Sequence, residues 1–291
     1  MAKEKKPYDK YLNPIAEGLF DIEEWTYRNI KALNITYAKL FNRSALHVYT
    51  AVNEPDAELV APTYHMDVGT AFHWAALEPK RFIEKVVADL PISKLSKKYQ
   101  EWKARQSGKL IIKAADIENV KRMVDVMYSK RSVKKYLNEG WHEKSLIWFE
   151  EQFGIWCKGR IDWIRKDGEA LVDLKKTQVA TRWAFEMAIR RYEYYMQAGH
   201  YMRGFKKVTG YMPRDWVWIA AEQMAPHECN VFVADPMEVE SAQATLDHWY
   251  QRYSECLETG VWPGYIDEPI YLGGWRPEES EINEDEEYPN F

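Results

Sequence analysis

The chain has 291 residues, 46% of them hydrophobic and 29% charged, with a formal net charge of −5. That length and balance suit one large domain or two small ones, and exclude collagen-like, mucin-like and wholly disordered chains. No apolar run reaches the roughly 18–20 residues of a membrane span, the opening MAKEKKPYDKYL has no apolar signal core, and the odd count of three cysteines suits a reducing cytoplasm rather than a disulfide framework.

Residues 1–20 read as a loosely structured arm. Residues 21–53 have helical spacing, and NITYAKLFNRSALHVY (34–49) reads as a short helix behind an Asn or Thr cap. Pro55 and Pro62 mark a loop. The spacing predicts a helix over 69–87 with a break near Pro79. It predicts one amphipathic helix over 113–138, with Ile117, Val120, Val124, Met127 and Tyr128 on its apolar stripe and Gly140 ending it. The texture then changes. Residues 145–164 are β-prone, Asp167-Gly168 is a hairpin turn signal, and ALVDLK (170–175) is a second strand. Residues 180–207 read as helix, 216–222 and 229–234 as strands joined by a loop with Pro226, and 237–259 as a last helix ending at Gly260. Strands cluster in the middle and helices flank them, an α/β pattern.

The charge is unevenly placed. Residues 278–291 carry seven acidic groups and no Lys or Arg, so the remaining 277 residues sum to +2. This tail, within an acidic stretch 273–291, reads as disordered and could compete with an anionic ligand or only aid solubility. Residues 94–135 hold 13 Lys and Arg against 4 Asp and Glu. Lys94, Lys97, Lys98, Lys103, Arg105, Lys109 and Lys113 are candidates for phosphate contact, against the alternative of a solvated helical face.

The chemistry concentrates on the hairpin CKGRIDWIRKDGEALVDLKKT (157–177). Side chains alternate along a strand, so Asp173 and Lys175 share a face and Lys176 points away. A turn at Asp167-Gly168 brings Asp162 close to Asp173. Two carboxylates and a lysine then converge, which suits a hard divalent cation with a lysine beside the attacking water, or simply a salt-bridged exposed hairpin. His73, Glu143, and the pair Gln197 and Tyr201 at helical i, i+4 spacing are further candidates, each also explicable as structural. Cys157, Cys229 and Cys256 lack the number and spacing for an iron–sulfur cluster and read as buried thiols.

These pieces occur in an order that resembles the RecE-type exodeoxyribonucleases, a branch of the PD-(D/E)XK nuclease superfamily. TYAKLFNRSALHVY is similar to the family's first helix. Gly69, His73, Leu77, Glu78, Pro79 and Phe82 follow, then Glu143 and Ser145, then Cys157, Lys158, Arg160 and Asp162. Asp173 with Lys175, Gln197 with Tyr201, Glu222 with Pro226, and CLETGVWPGY (256–265) complete the series. Two departures stand out. Ile161 replaces the family's proline before the first metal aspartate, and DLKKT carries an extra lysine, Lys176, before the threonine.

The resemblance implies a restriction-endonuclease-like core over residues 21–272, with a central mixed β-sheet flanked by helices. It implies a Mg²⁺-dependent exodeoxyribonuclease, Mn²⁺ substituting, with His73, Asp162, Asp173 and the carbonyl of Leu174 as metal ligands and Lys175 activating water. Glu143 is expected near the metal or the incoming strand, and Gln197 and Tyr201 to steady the scissile strand or Lys175. Arg160 joins the lysines above as a DNA contact. The implied reaction runs 5′ to 3′ from linear duplex ends and leaves a 3′ single strand. The implied partners are double-stranded DNA ends, other copies in a ring such as a tetramer, and a single-strand annealing protein, in the cytoplasm of a bacterial host and not at a membrane. A nuclease of the CRISPR-adaptation or RecB type without an iron–sulfur cluster, and a catalytically dead DNA-binding scaffold on the same fold, are the alternatives; the intact Asp162, Asp173 and Lys175 set argues against the second.

Overall fold

A computed structural model describes residues 6–54 and 63–270. The acidic tail and the loop containing Pro55 and Pro62 lie outside the described residues. The strands are β1 (Gly18–Phe20), β2 (Val86–Ala88), β3 (Leu110–Ile112), β4 (Gly140–Glu150), β5 (Ile155–Arg165), β6 (Ala170–Thr177), β7 (Asp215–Glu222) and β8 (Cys229–Val233). The α-helices are α1 (Glu24–Asn29), α2 (Ile35–Ala38), α3 (Ala45–Asn53), α4 (Tyr64–Leu77), α5 (Pro79–Lys85), α6 (Lys97–Arg105), α7 (Ala114–Ser129), α8 (Arg131–Leu137), α9 (Arg182–Tyr192), α10 (Tyr194–Thr209) and α11 (Pro236–Thr259).

Six strands form a mixed sheet in the order β1-β4-β5-β6-β7-β8, with β6 and β7 parallel and every other neighbour antiparallel. The parallel pair needs a crossover, which α9 and α10 supply. Alternation along β7 shows why both faces are covered. Trp216 and Trp218 pack with Phe205, Leu246 and Tyr250 on one side, and Val217 and Ile219 pack with Val68, Phe72, Val120 and Met123 on the other. The sheet therefore lies between a layer containing α10 and α11 and a layer containing α4 and α7. β2 and β3 form a separate parallel pair.

The hairpin forms at the expected turn, with Gly168 at φ +74° and Asp167 Oδ1 accepting from the Glu169 N–H at 3.0 Å. Several elements differ from the sequence reading. The arm contains β1, which pairs with β4 through Gly18↔Ile147 to Phe20↔Ser145. The 113–138 helix is two, because Lys130 turns extended (ψ 130°), where the Ser129 hydroxyl donates to the Val126 carbonyl and Lys130 pairs with Glu228. The 180–207 helix is also two, broken at Glu193, which adopts φ +51°. Residues 21–53 fold as three short α-helices and a 3₁₀ turn, and β4 begins five residues early, at Gly140.

Candidate active site

β5 lies between β4 and β6, and its register sets three carboxylates in line. Lys144↔Ile161 and His142↔Trp163 place Glu143 opposite Asp162, and Trp163↔Val172 places Asp173 opposite it on the far side. None of these three residues is a paired rung of either ladder. β5 and β6 fork there instead, and the freed Leu174 N–H donates to Oδ2 of Asp162 at 2.8 Å. Glu143 bends out of the strand conformation, at φ +51°. That is an unfavourable backbone for a residue with a Cβ, held by the surrounding sheet.

α4 brings His73 over the fork. Its Nε2 lies 3.0 Å from the Leu174 carbonyl oxygen and its Nδ1 3.4 Å from Oδ2 of Asp162. A carbonyl only accepts, so Nε2 donates to it and Nδ1 is the nitrogen that faces the carboxylate. Both main-chain groups of Leu174 are thus used, its N–H on Asp162 and its carbonyl, expected to face the metal, on His73.

α10 closes the opposite side. Lys175 Nζ lies 2.9 and 2.7 Å from the two oxygens of Asp173 and donates to Gln197 Oε1 at 3.1 Å, while Gln197 Nε2 donates to Asp173 Oδ1 at 2.8 Å. The ammonium also rests 4.6 Å from the centroid of the Tyr194 ring. Burial favours losing the Lys175 proton, but Asp173 and Asp162 beside it raise its pKa overall. Tyr201 sits one turn beyond Gln197, against Gly159 of β5; a Cβ there would lie 2.7 Å from its ring. Burial pushes the Tyr201 hydroxyl far up, so it stays a donor.

Burial, then the nearby Asp162 charge, pushes the Glu143 carboxyl up to about 8. Burial likewise raises Asp173, against the pull of Lys175. Ligand atoms of His73, Glu143 and Asp162 all lie within 4.8 Å of one another. Oδ2 of Asp173 is buried and accepts no well-angled hydrogen bond, despite the nearby lysine. Crowded carboxylates and an imidazole nitrogen facing them fit a hard divalent cation.

These residues line a cavity of about 580 Å³. Its wall includes Glu24, Tyr27 and Arg28 of α1, which sequence reasoning missed because α1 carries no motif. Arg160 also lines it, donating to the Ile22 carbonyl at 2.5 Å and to Ser145 Oγ, with its guanidinium 4.4 Å from the Tyr27 ring centroid. The expected DNA contacts Lys94, Lys97, Lys98, Lys103, Arg105, Lys109 and Lys113 are exposed, on the segment that carries α6 and β3 and away from the cavity lining. Lys94 pairs with Asp89 at 3.4 Å and Lys97 with Glu101 at 3.9 Å. Cys157, Cys229 and Cys256 are buried on three different elements.

A mixed sheet between helical layers, forked at an Asp, Asp and Lys set, defines the chain as a protein of the PD-(D/E)XK nuclease fold. Residues 35–272 match the model of the PDDEXK-like domain of unknown function (DUF3799), and the chain belongs to that family. The fold is similar to the crystal structure of a candidate exonuclease from Eubacterium rectale, with a TM-score of 0.61 and 13% identity over 87% of this chain and 97% of that one. No curated protein matches. Among the described residues no helix is long and apolar enough to cross a membrane.

Proposed function

We propose that this protein is a Mg²⁺-dependent DNA nuclease, with Mn²⁺ as a substitute, acting as an exonuclease on linear duplex ends. The observation that carries the reading is the alignment of Glu143, Asp162 and Asp173 across three adjacent strands, with His73 above and Lys175 beside them. Asp162, Asp173, Glu143 and His73 are the residues that would hold the cation. When bound, the cation supplies charge neutralisation at the phosphodiester and acidifies water. Lys175, kept in place by Gln197 and Asp173, donates a hydrogen bond to the water or the scissile phosphate. Tyr201 donates from the same helix face as Gln197. The basic segment around α6 holds the duplex through its phosphates.

The resemblance to RecE-type enzymes supports the finer reading: 5′ to 3′ cleavage, a 3′ single-stranded product, a ring of copies and a single-strand annealing partner. Linear and circular duplexes, labelled in turn at the 5′ and 3′ ends, test it with Mg²⁺ present. Early release of the 5′ label from linear DNA alone is expected. Cleavage of the circle would make the protein an endonuclease, and early loss of the 3′ label would reverse the polarity.

A further inference from the structure

A second cavity, of about 670 Å³, opens on the other side of Lys175 and is lined by Lys176, Val179, Met187, Arg191, Tyr192 and Tyr194 among others. Lys175 lines both cavities, so they meet at its side chain. Their charges differ. The catalytic cavity mixes Glu24, Glu143, Asp162 and Asp173 with Arg28, Arg160 and Lys175, whereas the described residues lining the second include Lys175, Lys176, Arg191 and His65 and no Asp or Glu. Among the described residues, neither Lys176 nor Arg191 forms an ion pair; Lys176 Nζ donates to Gln223 Oε1 at 3.1 Å.

The wall of this cavity is aromatic. Tyr192 and Tyr194 stack on each other at 5.7 Å and 23°, and Tyr192 is 52% exposed, leaving ring surface open. The Arg191 guanidinium lies 5.7 Å from the Tyr192 ring centroid. The pair is held by design of the backbone rather than by the helices: Glu193 between them is left-handed at φ +51°, Lys39 Nζ donates to the Tyr192 carbonyl at 2.5 Å, and Asn42 donates to Glu193 Oε1 at 2.8 Å.

We infer that this cavity is a subsite for an unpaired nucleotide of the scissile strand, its base stacked on Tyr192 and its phosphate held by Arg191 and Lys176. The inference rests on the nuclease reading for the identity of the strand, and on the cavity alone for the ligand chemistry. An open aromatic face beside unpaired cations accepts any base by its π-surface and any phosphate by its charge. The volume lies within the ~300–1,000 Å³ of small-ligand pockets, enough for a nucleotide. Lys175 then stands between the scissile phosphate and its neighbouring nucleotide.

A short single strand carrying 2-aminopurine at successive positions tests this, with chelator present so that binding is read without cleavage. Quenching of the probe at one position is expected, because stacking on a tyrosine quenches it. Tyr192→Ala and Arg191→Ala should each weaken binding by about tenfold and Tyr192→Ala should abolish the quench, while Tyr192→Phe keeps both. Both residues are exposed, so these variants fold. A quench that survives Tyr192→Ala overturns the subsite. Deoxyadenosine 5′-monophosphate alone is a separate arm; if the variants lose the mononucleotide but bind the single strand unchanged, the cavity serves a free nucleotide and the strand subsite is wrong. Failure of the nuclease reading shows independently, as absent cleavage of linear duplex by the wild-type protein with Mg²⁺.

Discussion

The backbone N–H of Leu174 donates to Oδ2 of Asp162 at 2.8 Å, in the place where a strand-to-strand hydrogen bond would otherwise form. The carboxylate therefore acts as a wedge in the sheet as well as a charge in the site. The two roles separate by substitution. Asp162→Asn keeps an oxygen for the Leu174 N–H and removes the charge. It should retain the wild-type melting temperature, lose Mn²⁺ binding by calorimetry, and cut cleavage by on the order of 10²–10³. Asp162→Ala should lose Mn²⁺ binding and cleavage likewise, but also lose about 1–3 kcal/mol of stability, from the orphaned N–H. Equal melting temperatures for the two variants would refute the wedge.

Lys175 and Lys176 are adjacent but serve opposite faces of β6, one on Asp173 and the other on Gln223. Lys175→Ala should lower kcat by on the order of 10²–10⁴ while Mn²⁺ still binds. Lys176→Ala should act mainly on KM, since its ammonium stands outside the carboxylate cluster. The kcat and KM of the two variants on one DNA substrate decide between these roles, and an exchange of the two effects would place the reacting lysine one residue later.

The exposed cations of 94–113 predict a salt effect. Each lysine or arginine seated on a phosphate releases a counterion, so neutralising Lys98, Lys103, Arg105 and Lys109 should flatten the dependence of duplex affinity on salt and weaken binding to every sequence alike. Anisotropy titrations across a salt series measure the slope. An unaltered slope would return the segment to a merely solvated surface.

His200 predicts acid sensitivity. It is buried with Nε2 on the Lys158 carbonyl at 3.0 Å and Nδ1 on the Tyr250 hydroxyl at 2.5 Å, and burial depresses its pKa from 6.5 to about 3. Between these values the unfolded chain binds a proton that the folded chain refuses, so stability is full above about 6.5 and falls as the pH drops toward 3. The slope from this group is about 1.4 kcal/mol per pH unit. Urea unfolding at pH 7, 6 and 5 should show the decline, and His200→Gln should flatten it.

The hairpin was legible because its determinants are local. Asp167-Gly168 supplies the turn, and alternation assigns Asp173 and Lys175 to one face and Lys176 to the other. Closeness of Asp162 to Asp173 followed from eleven residues of separation about that turn. The position of Glu143 did not, because it depends on the register of β4 on β5 and on a left-handed backbone at a glutamate. β1, β2 and β3 have three residues each, too few for alternation to register. The helix breaks at Lys130 and Glu193 involve neither glycine nor proline; distant partners, Glu228 for one and Asn42 for the other, hold them. The second cavity was not legible, because Tyr192 and Tyr194 face it only through the left-handed backbone of Glu193 between them.

Lys158 carries a practical lesson about where this fold can be trimmed. Its side chain is fully buried, and its Nζ donates to the carbonyls of Tyr27, Arg28 and Ile30 at 2.9, 2.9 and 2.6 Å. The family match begins only at residue 35, downstream of all three. A chain trimmed to that boundary would strand an amine in a dry interior with nothing to receive its protons, and would also leave the outer edge of β4 bare where β1 had covered it. Such a fragment should come out of expression insoluble, however complete its catalytic residues. Residues 18–30 are masonry of the same building, and anyone dissecting this protein by homology alone would cut through a supporting wall.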